Sequence, residues 1–186
     1  MTTEQESSEP QASEPEASEA ENSEAENSPQ AERFEVARQI AAPPAAVFAV
    51  LTDPRGHVTI DSSGMLQSAD GDPVRQAGDT FVVHMDREAL GDLPMGKYDV
   101  TVIITRLEPD TEIEWTISGT IQPPIKHLYG YRLEPRDGGT LVTSYYDWSQ
   151  IDERYRGRVN FPIIPETALK ATLGILARTV ENAPAR

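Results

Sequence analysis

The spacing of apolar residues near the C-terminal end of the chain predicts one long amphipathic helix. Between Phe161 and Asn182, apolar side chains recur at intervals of four, three and four residues, which places them on one stripe of an α-helix. The residues of this stripe are Leu169, Leu173, Leu176 and Val180. Pro165 suits the first turn, where a backbone donor is not needed, so we expect the helix to run from Pro165 to Asn182. At roughly 1.5 Å per residue, it would be about 27 Å long.

Upstream of this helix, apolar and polar residues alternate, which is typical of antiparallel strands with one solvated face. Strands are predicted at Arg33–Ile40, Thr80–Met85, Tyr98–Leu107, Glu112–Ser118, Ile125–Leu133 and Thr140–Trp148. The sequence RDGG at 136–139 predicts a tight hairpin turn before the last strand. This order predicts an α+β protein in which a curved antiparallel sheet of six to seven strands wraps around the long C-terminal helix. Such a sheet suggests an interior cavity.

A second, shorter helix is predicted after the first strand. The prolines at 43–44 precede the run AAVFAVL, and Pro54 follows soon after its end, so proline marks both boundaries. The side chains expected to face inward are Val47, Phe48 and Leu51. Residues 55–72 are rich in Gly, Ser and Asp, which favours a loop with one more helical turn near His57–Ile60.

The formal net charge of −15 is concentrated at the N-terminal end. Residues 1–32 contain ten Glu and no basic residue, and they advance in pentads such as SEPEA and SEAEN. Because this segment has almost no large apolar side chain to bury, we expect a disordered acidic tail over 1–32 and a folded domain over 33–186. The tail is either a solubilising arm or a segment that binds a protein partner or is phosphorylated.

Composition excludes several classes of function. The domain has no basic patch, which argues against nucleic acid or an anionic membrane as the main partner. The chain has no cysteine, so disulfides, thiol nucleophiles and thiolate metal sites are excluded. It has no apolar run of 18 residues and no signal-peptide pattern, so we expect a soluble, cytoplasmic protein that is not an integral membrane protein.

Several separated motifs occur in a fixed order along the folded part. They are IAAPPAAVFAVLTDP after the first strand, HVTIDSSG, GDTF, LEP followed by EIEW, GYRLEP followed by GGT, and YDWS before the terminal helix. Together they resemble the polyketide cyclase/dehydrase branch of the START-like (SRPBCC) superfamily, over about residues 33–182. The resemblance implies a helix-grip fold with an apolar cavity between sheet and helix. It implies no single activity, since this scaffold hosts lipid carriers, cyclases, hormone receptors and chaperone cofactors.

The three histidines are the first candidates for chemistry. No HxH or HxxxH spacing is present, so we expect no metal site. His84 lies opposite to its apolar neighbours in the strand alternation and should face outward. His57 follows the short helix, where it makes a polar contact at the helix end or orients Asp61. His127 shares a strand face with Tyr129, so it should line the cavity, either as a hydrogen-bonding group or as a general base.

A set of aromatic and apolar residues is predicted to line the cavity and bind the ligand. These candidates are Met85, Tyr98, Trp115, His127, Tyr129, Tyr146, Trp148, Leu169 and Leu173. Apolar walls with a few hydroxyl and imidazole groups are typical of small-molecule sites, although the same residues could simply fill a core. The sequence ERYRGR at 153–158 is either a solvated basic loop or a clamp for an acidic ligand.

Three functions remain open from the sequence. The first is binding of a hydrophobic or aromatic small molecule in the cavity. The second is a polyketide cyclase or dehydrase in which His127 or a tyrosine moves a proton. The third is a protein-interaction module similar to the chaperone-cofactor relatives. No P-loop, GxGxxG or GxSxG motif is present, so no cofactor is expected and no catalytic residue is assigned.

Overall fold

The computed structural model describes residues 32–88, 91 and 94–183. These residues form an α+β domain of seven strands and three α-helices. The strands are β1 Arg33–Ile40, β2 Leu66–Asp70, β3 Thr80–Asp86, β4 Lys97–Glu108, β5 Glu112–Ser118, β6 Leu128–Arg136 and β7 Gly139–Asp147. The helices are α1 Pro44–Thr52, α2 Pro54–Ile60 and α3 Glu166–Glu181, with a 3₁₀ turn at Glu153–Tyr155.

The seven strands form one antiparallel sheet in the order β1-β7-β6-β5-β4-β3-β2. Strands β2 to β7 follow each other as a meander. The first strand, β1, pairs with the last strand, β7, with Phe34 opposite Tyr146. The first strand therefore lies beside the last one. The side chains of the inner face, which is the face toward α3, alternate with solvent-facing ones, as the sequence pattern predicted.

Helix α3 lies across the sheet and buries the predicted stripe. It packs on β1 and β7 and on both shorter helices. Leu173 and Leu176 are 1% and 0% exposed, and Leu169 and Val180 are also buried. The curved sheet wrapped around a C-terminal helix is the helix-grip fold, so the predicted fold class is confirmed.

The segment between α1 and β3 differs from the prediction of a loop. Helix α2 is a full seven residues, because Asp53 caps its N-terminus through a bond from the Arg55 amide and Pro54 occupies its first turn. Strand β2 is also present. It forms the edge of the sheet, and Ala69 is its only buried residue, so it has no apolar alternation to reveal it.

The start of β6 differs from the predicted strand boundary. Strand β6 begins at Leu128 rather than at Ile125, because Lys126 has a φ of 70° and therefore leaves the extended conformation. Residues 1–31 lie outside the described residues, so the disordered tail and the domain boundary at 32/33 stay predictions. Glu32 is described, and its carboxylate pairs with Arg156.

Candidate functional site

A cavity of about 800 Å³ lies between the inner face of the sheet and the helices α2 and α3. Its walls come from β3 to β6, from the loop at 119–127, and from the segment at 158–164 that leads into α3. Tyr155 closes part of the rim, since its hydroxyl donates to the Pro123 carbonyl. The sheet and the helix thus do not fill the interior.

Six of the nine predicted site residues lie on the cavity wall. They are Met85, Tyr98, Trp115, His127, Tyr129 and Leu169. Each lies on an inner-face position of β3 to β5, at the start of β6 or just before it, or in the first turn of α3. Their role in ligand binding stays a prediction.

Tyr146, Trp148 and Leu173 lie in the packed core instead of on the cavity wall. The ring of Phe34 covers Trp148 in an edge contact, with centroids 5.3 Å apart, and Tyr146 packs against the same two rings. Leu173 lies one turn beyond Leu169 on α3, where the helix meets the sheet directly. These three residues have the predicted facing direction, but at their end of the sheet β1 and α3 leave no space.

The aromatic residues of β5 and β6 form a stacked group on the cavity wall. The indole of Trp115 stacks on Tyr129 and on Tyr131, with centroid distances of 5.9 Å and interplanar angles of 18° and 28°. The imidazole of His57 meets the same indole edge-on at 4.9 Å. This arrangement offers an apolar ligand aromatic rings against which it can stack or pack edge-on.

His127 is the most deeply buried of the histidines on the cavity wall, with 2% of its surface exposed. Its Nδ1 lies 2.9 Å from the Tyr146 hydroxyl. Its Nε2 has no hydrogen-bond partner among the described residues. Burial lowers the pKa of His127 to about 4, because a charged imidazole would lose its hydration without gaining a counter-ion. At neutral pH the ring is therefore uncharged.

The other two histidines occupy the kinds of position that the sequence predicted. His57 makes a helix-end contact, since its Nε2 donates to the Leu51 carbonyl at 2.8 Å, and burial lowers its pKa to about 4. The Asp61 carboxylate instead accepts bonds from the Ser63 hydroxyl and from backbone amides. His84 is on the solvent side of β3 between Asp70 and Asp99, and hydrogen bonds to these carboxylates raise its pKa.

Part of the cavity wall comes from residues that no sequence pattern indicated. The missed residues lie in irregular segments or on the strand and helix predicted as loop, and they include His57, Ser62, Met95, Ile121, Asn160 and Ile163. Ser62 joins two elements there, because its hydroxyl donates to the Ala168 carbonyl and accepts from the Thr172 hydroxyl. Residues in such segments follow no period, so their spacing carries no signal.

The three arginines of the sequence ERYRGR lie in different environments. Arg156 is held by Glu32, Glu153 and the Ser149 carbonyl, so it fastens the segment to the domain. Arg154 is exposed beside Asp152. Arg158 is exposed at the cavity rim. Within residues 32–88, 91 and 94–183, no group of three or more His, Asp or Glu side chains is placed to hold a metal ion.

Comparison with known proteins assigns the family. A sequence model of the family described as polyketide cyclase / dehydrase and lipid transport matches residues 31–181, which is most of the chain. The chain belongs to this family. Among curated relatives, the protein Rv0088 of Mycobacterium tuberculosis is 30% identical over 112 residues. That match covers 59% of this chain and 45% of Rv0088, so the chain spans less than half the length of this relative.

Solved structures share the fold of this polyketide cyclase/dehydrase and lipid transport domain. The protein CV1439 from Chromobacterium violaceum aligns with a TM-score of 0.60 and 18% identity, over 83% of this chain and 99% of CV1439. Aha1 from Colwellia psychrerythraea, solved as a dimer, aligns with a TM-score of 0.54 and 16% identity, over 82% and 98%. At such low identity the likeness shows the fold alone. In the described part of the chain, no helix combines the length and the apolar character needed to cross a bilayer.

The three histidines of this family member should titrate in two separate ranges. We expect the ring protons of His57 and His127 to keep neutral-state chemical shifts down to about pH 4 in an NMR titration. His84 serves as the internal control, since its raised pKa places its transition above 6.5. Because the unfolded state binds protons near pH 6.5 and these two native rings do not, stability should fall by about 1.4 kcal/mol per pH unit per buried ring as pH drops from 6.5 toward 4. A transition of His57 or His127 near 6.5 would contradict this burial.

Proposed function

We propose that this protein binds a hydrophobic or aromatic small molecule in the cavity between the sheet and α3. The observation that carries the proposal is the cavity itself. Its volume of about 800 Å³ falls within the range of roughly 300 to 1,000 Å³ that is usual for ligand pockets. Its walls are mainly aliphatic and aromatic, with the stacked rings of Trp115 and Tyr129 on one side. The family description, which includes lipid transport, supports the same function.

The alternative of a protein-interaction module has less support. Such a module would need an exposed apolar patch for its partner. Among the described residues, Ile121 is the one large apolar side chain that remains exposed, at 43%. Ile121 also lies on the rim of the cavity, where an exposed apolar residue suits the entry of an apolar ligand. The fold shared with Aha1 does not by itself indicate a partner.

The alternative of a cyclase or dehydrase depends on a group that can take a proton. His127 is the candidate on the cavity wall, and its lowered pKa of about 4 makes it a weak base at neutral pH. Tyr131 is also unsuited to take a proton. Burial raises its pKa to about 12, so it stays protonated, and its hydroxyl is hydrogen-bonded to Ser144. Binding is therefore the function that these side chains favour.

The proposal is tested by binding of 1-aminoanthracene, a fluorescent tricyclic amine that fits the cavity. We expect saturable binding at one site, and stabilisation of the fold by about 2.7 kcal/mol when the free probe is at 100 times its Kd. Ile117→Trp should weaken binding at least tenfold, because Ile117 lies on the cavity wall and indole would occupy the ligand's space.

Thr101→Trp is the matched control for that substitution. Thr101 lies on the neighbouring strand β4 and points to the solvent side, so the same bulk is added outside the cavity. Its affinity for the probe should equal that of the unmodified protein. Equal affinities for both tryptophan variants, or the absence of saturable binding, would contradict the proposal.

A further inference from the structure

Two neighbouring polar groups on the cavity wall lack hydrogen-bond partners within the described residues. One is Nε2 of His127, and the other is the hydroxyl of Tyr129. Their rings are in edge contact, with centroids 5.0 Å apart. A polar atom that is buried without a partner costs about 1 to 3 kcal/mol. Nε2 of His127 is such an atom among the described residues, and the Tyr129 hydroxyl is the neighbouring group that could act together with it.

The hydrogen bond to Tyr146 decides which nitrogen of His127 carries the proton. The Tyr146 hydroxyl has one proton to donate, and Nδ1 of His127, 2.9 Å away, is the one possible acceptor paired with it among the described residues. The backbone amide of Ile163, which also interacts with this hydroxyl, is a donor and cannot accept that proton. Nδ1 is therefore unprotonated, and the neutral ring carries its proton on Nε2. His127 thus offers the cavity an N–H donor rather than a basic nitrogen.

The accessible surface of Tyr129 faces the cavity and not the outside. Protein surrounds this residue closely enough that burial raises the pKa of its hydroxyl well above the ordinary value. It nevertheless keeps an intermediate exposure, and it lies on the cavity wall. Tyr131, two residues along the same strand, differs because its hydroxyl is bonded to Ser144. Of these two tyrosines of β6, Tyr129 is therefore the one whose hydroxyl has no partner among the described residues.

The surroundings of this pair restrict the kind of ligand that can use it. The Trp115 indole is stacked nearly parallel to the Tyr129 ring, so the pair lies beside a group of stacked aromatic rings. A planar ligand that stacks against these rings can bring its edge toward the two donors. A carbonyl oxygen in the plane of a ring system has its lone pairs directed along that edge, and it can accept two hydrogen bonds.

We propose that the ligand of this cavity is a planar, largely apolar molecule with a ring carbonyl oxygen that accepts hydrogen bonds from His127 Nε2 and from the Tyr129 hydroxyl. This inference rests on the proposed function, and it adds a requirement that a pure hydrocarbon cannot meet. His127 and Tyr129 determine specificity, and Tyr146 is a positioning residue because it fixes the tautomer of His127.

The test compares the affinities of two tricyclic probes that differ at one ring position. 9-Fluorenone has a ring carbonyl where fluorene has a methylene, and both displace 1-aminoanthracene if they enter the cavity. We expect the unmodified full chain to prefer fluorenone, and Tyr129→Phe to reduce the ratio of the two affinities about fivefold. Tyr146→Phe should reduce the ratio as well, since Nδ1 then competes for the imidazole proton. His127→Gln, which keeps an N–H donor, should retain more of the preference than His127→Leu.

Tyr131→Phe is the matched control, because it removes a hydroxyl that already has a partner. Its ratio should stay at the value of the unmodified protein. An independent readout is the ¹⁵N spectrum of His127, in which Nε2 should show the protonated type of shift and Nδ1 the unprotonated type. Equal ratios in the Tyr129→Phe and Tyr131→Phe variants, or a proton on Nδ1, would overturn the inference while leaving the proposed function intact. Failure of both probes to displace 1-aminoanthracene would instead overturn the proposed function together with the inference.

Discussion

Replacing Leu173 with aspartate is expected to unfold the domain. Leu173 is 1% exposed at the point where α3 meets the sheet, and the core around it is apolar. A carboxylate there would be buried without a partner, which costs about 4 kcal/mol or more. Because a domain of this size has a total stability of about 5 to 15 kcal/mol, that loss is sufficient to populate the unfolded state. Circular dichroism during urea unfolding measures the loss.

Ala171→Asp provides the matched control for the charge. Ala171 is on the same helix but is exposed, so aspartate there adds an equal charge in water. We expect it to cost about 0.5 kcal/mol through helix propensity alone. A Leu173→Met variant, which keeps an apolar side chain of similar volume, should lose less than about 1.5 kcal/mol. If Leu173→Asp lost no more than Ala171→Asp, α3 would not close the core.

Elements with one buried face were predictable from the sequence. Strands β4 and β7 alternate because every second side chain meets the core, and α3 shows a 3.6-residue stripe for the same reason. Strand β2 was missed because it is an edge strand with one buried residue, so burial imposes almost no pattern on it. A periodic pattern arises where burial selects apolar side chains, so an element with few buried residues cannot be recognised from its sequence.

The sequence predicted which site residues point to the inner face of the sheet, but not which of them reach the cavity. Tyr129 and Tyr146 both point to the inner face, yet one lies on the cavity wall and the other under Phe34. The difference depends on where α3 crosses the sheet and on the position of β1 at the sheet edge, which are tertiary properties. His57 shows the same limit, since its place on the wall follows from the short turn between α1 and α2 rather than from its neighbours in sequence.

Replacing Gly56 with alanine is expected to destabilise the domain strongly, because the turn between α1 and α2 is so short. Helices α1 and α2 are separated by Asp53 alone, and this brings α2 against the backbone of α1. A Cβ at Gly56 would lie 1.8 Å from the Val50 carbonyl oxygen, a backbone atom that cannot rotate away. Helix α2 would have to move, so we expect a loss of about 3 kcal/mol in the free energy of unfolding. For a domain of this size, that lowers Tm by about 10 °C.

The same substitution should also disturb the cavity, because Gly56 precedes His57. A shift of α2 would break the 2.8 Å bond between His57 Nε2 and the Leu51 carbonyl, and it would move the imidazole away from Trp115. We therefore expect weaker binding of 1-aminoanthracene and a changed Trp115 fluorescence. Gly174→Ala is the control, since a Cβ there meets only Arg38 Nη1 at 4.0 Å and should stabilise α3 by about 0.5 to 1 kcal/mol. If both alanine variants changed stability and binding alike, the close approach of α2 to α1 would not support the cavity wall.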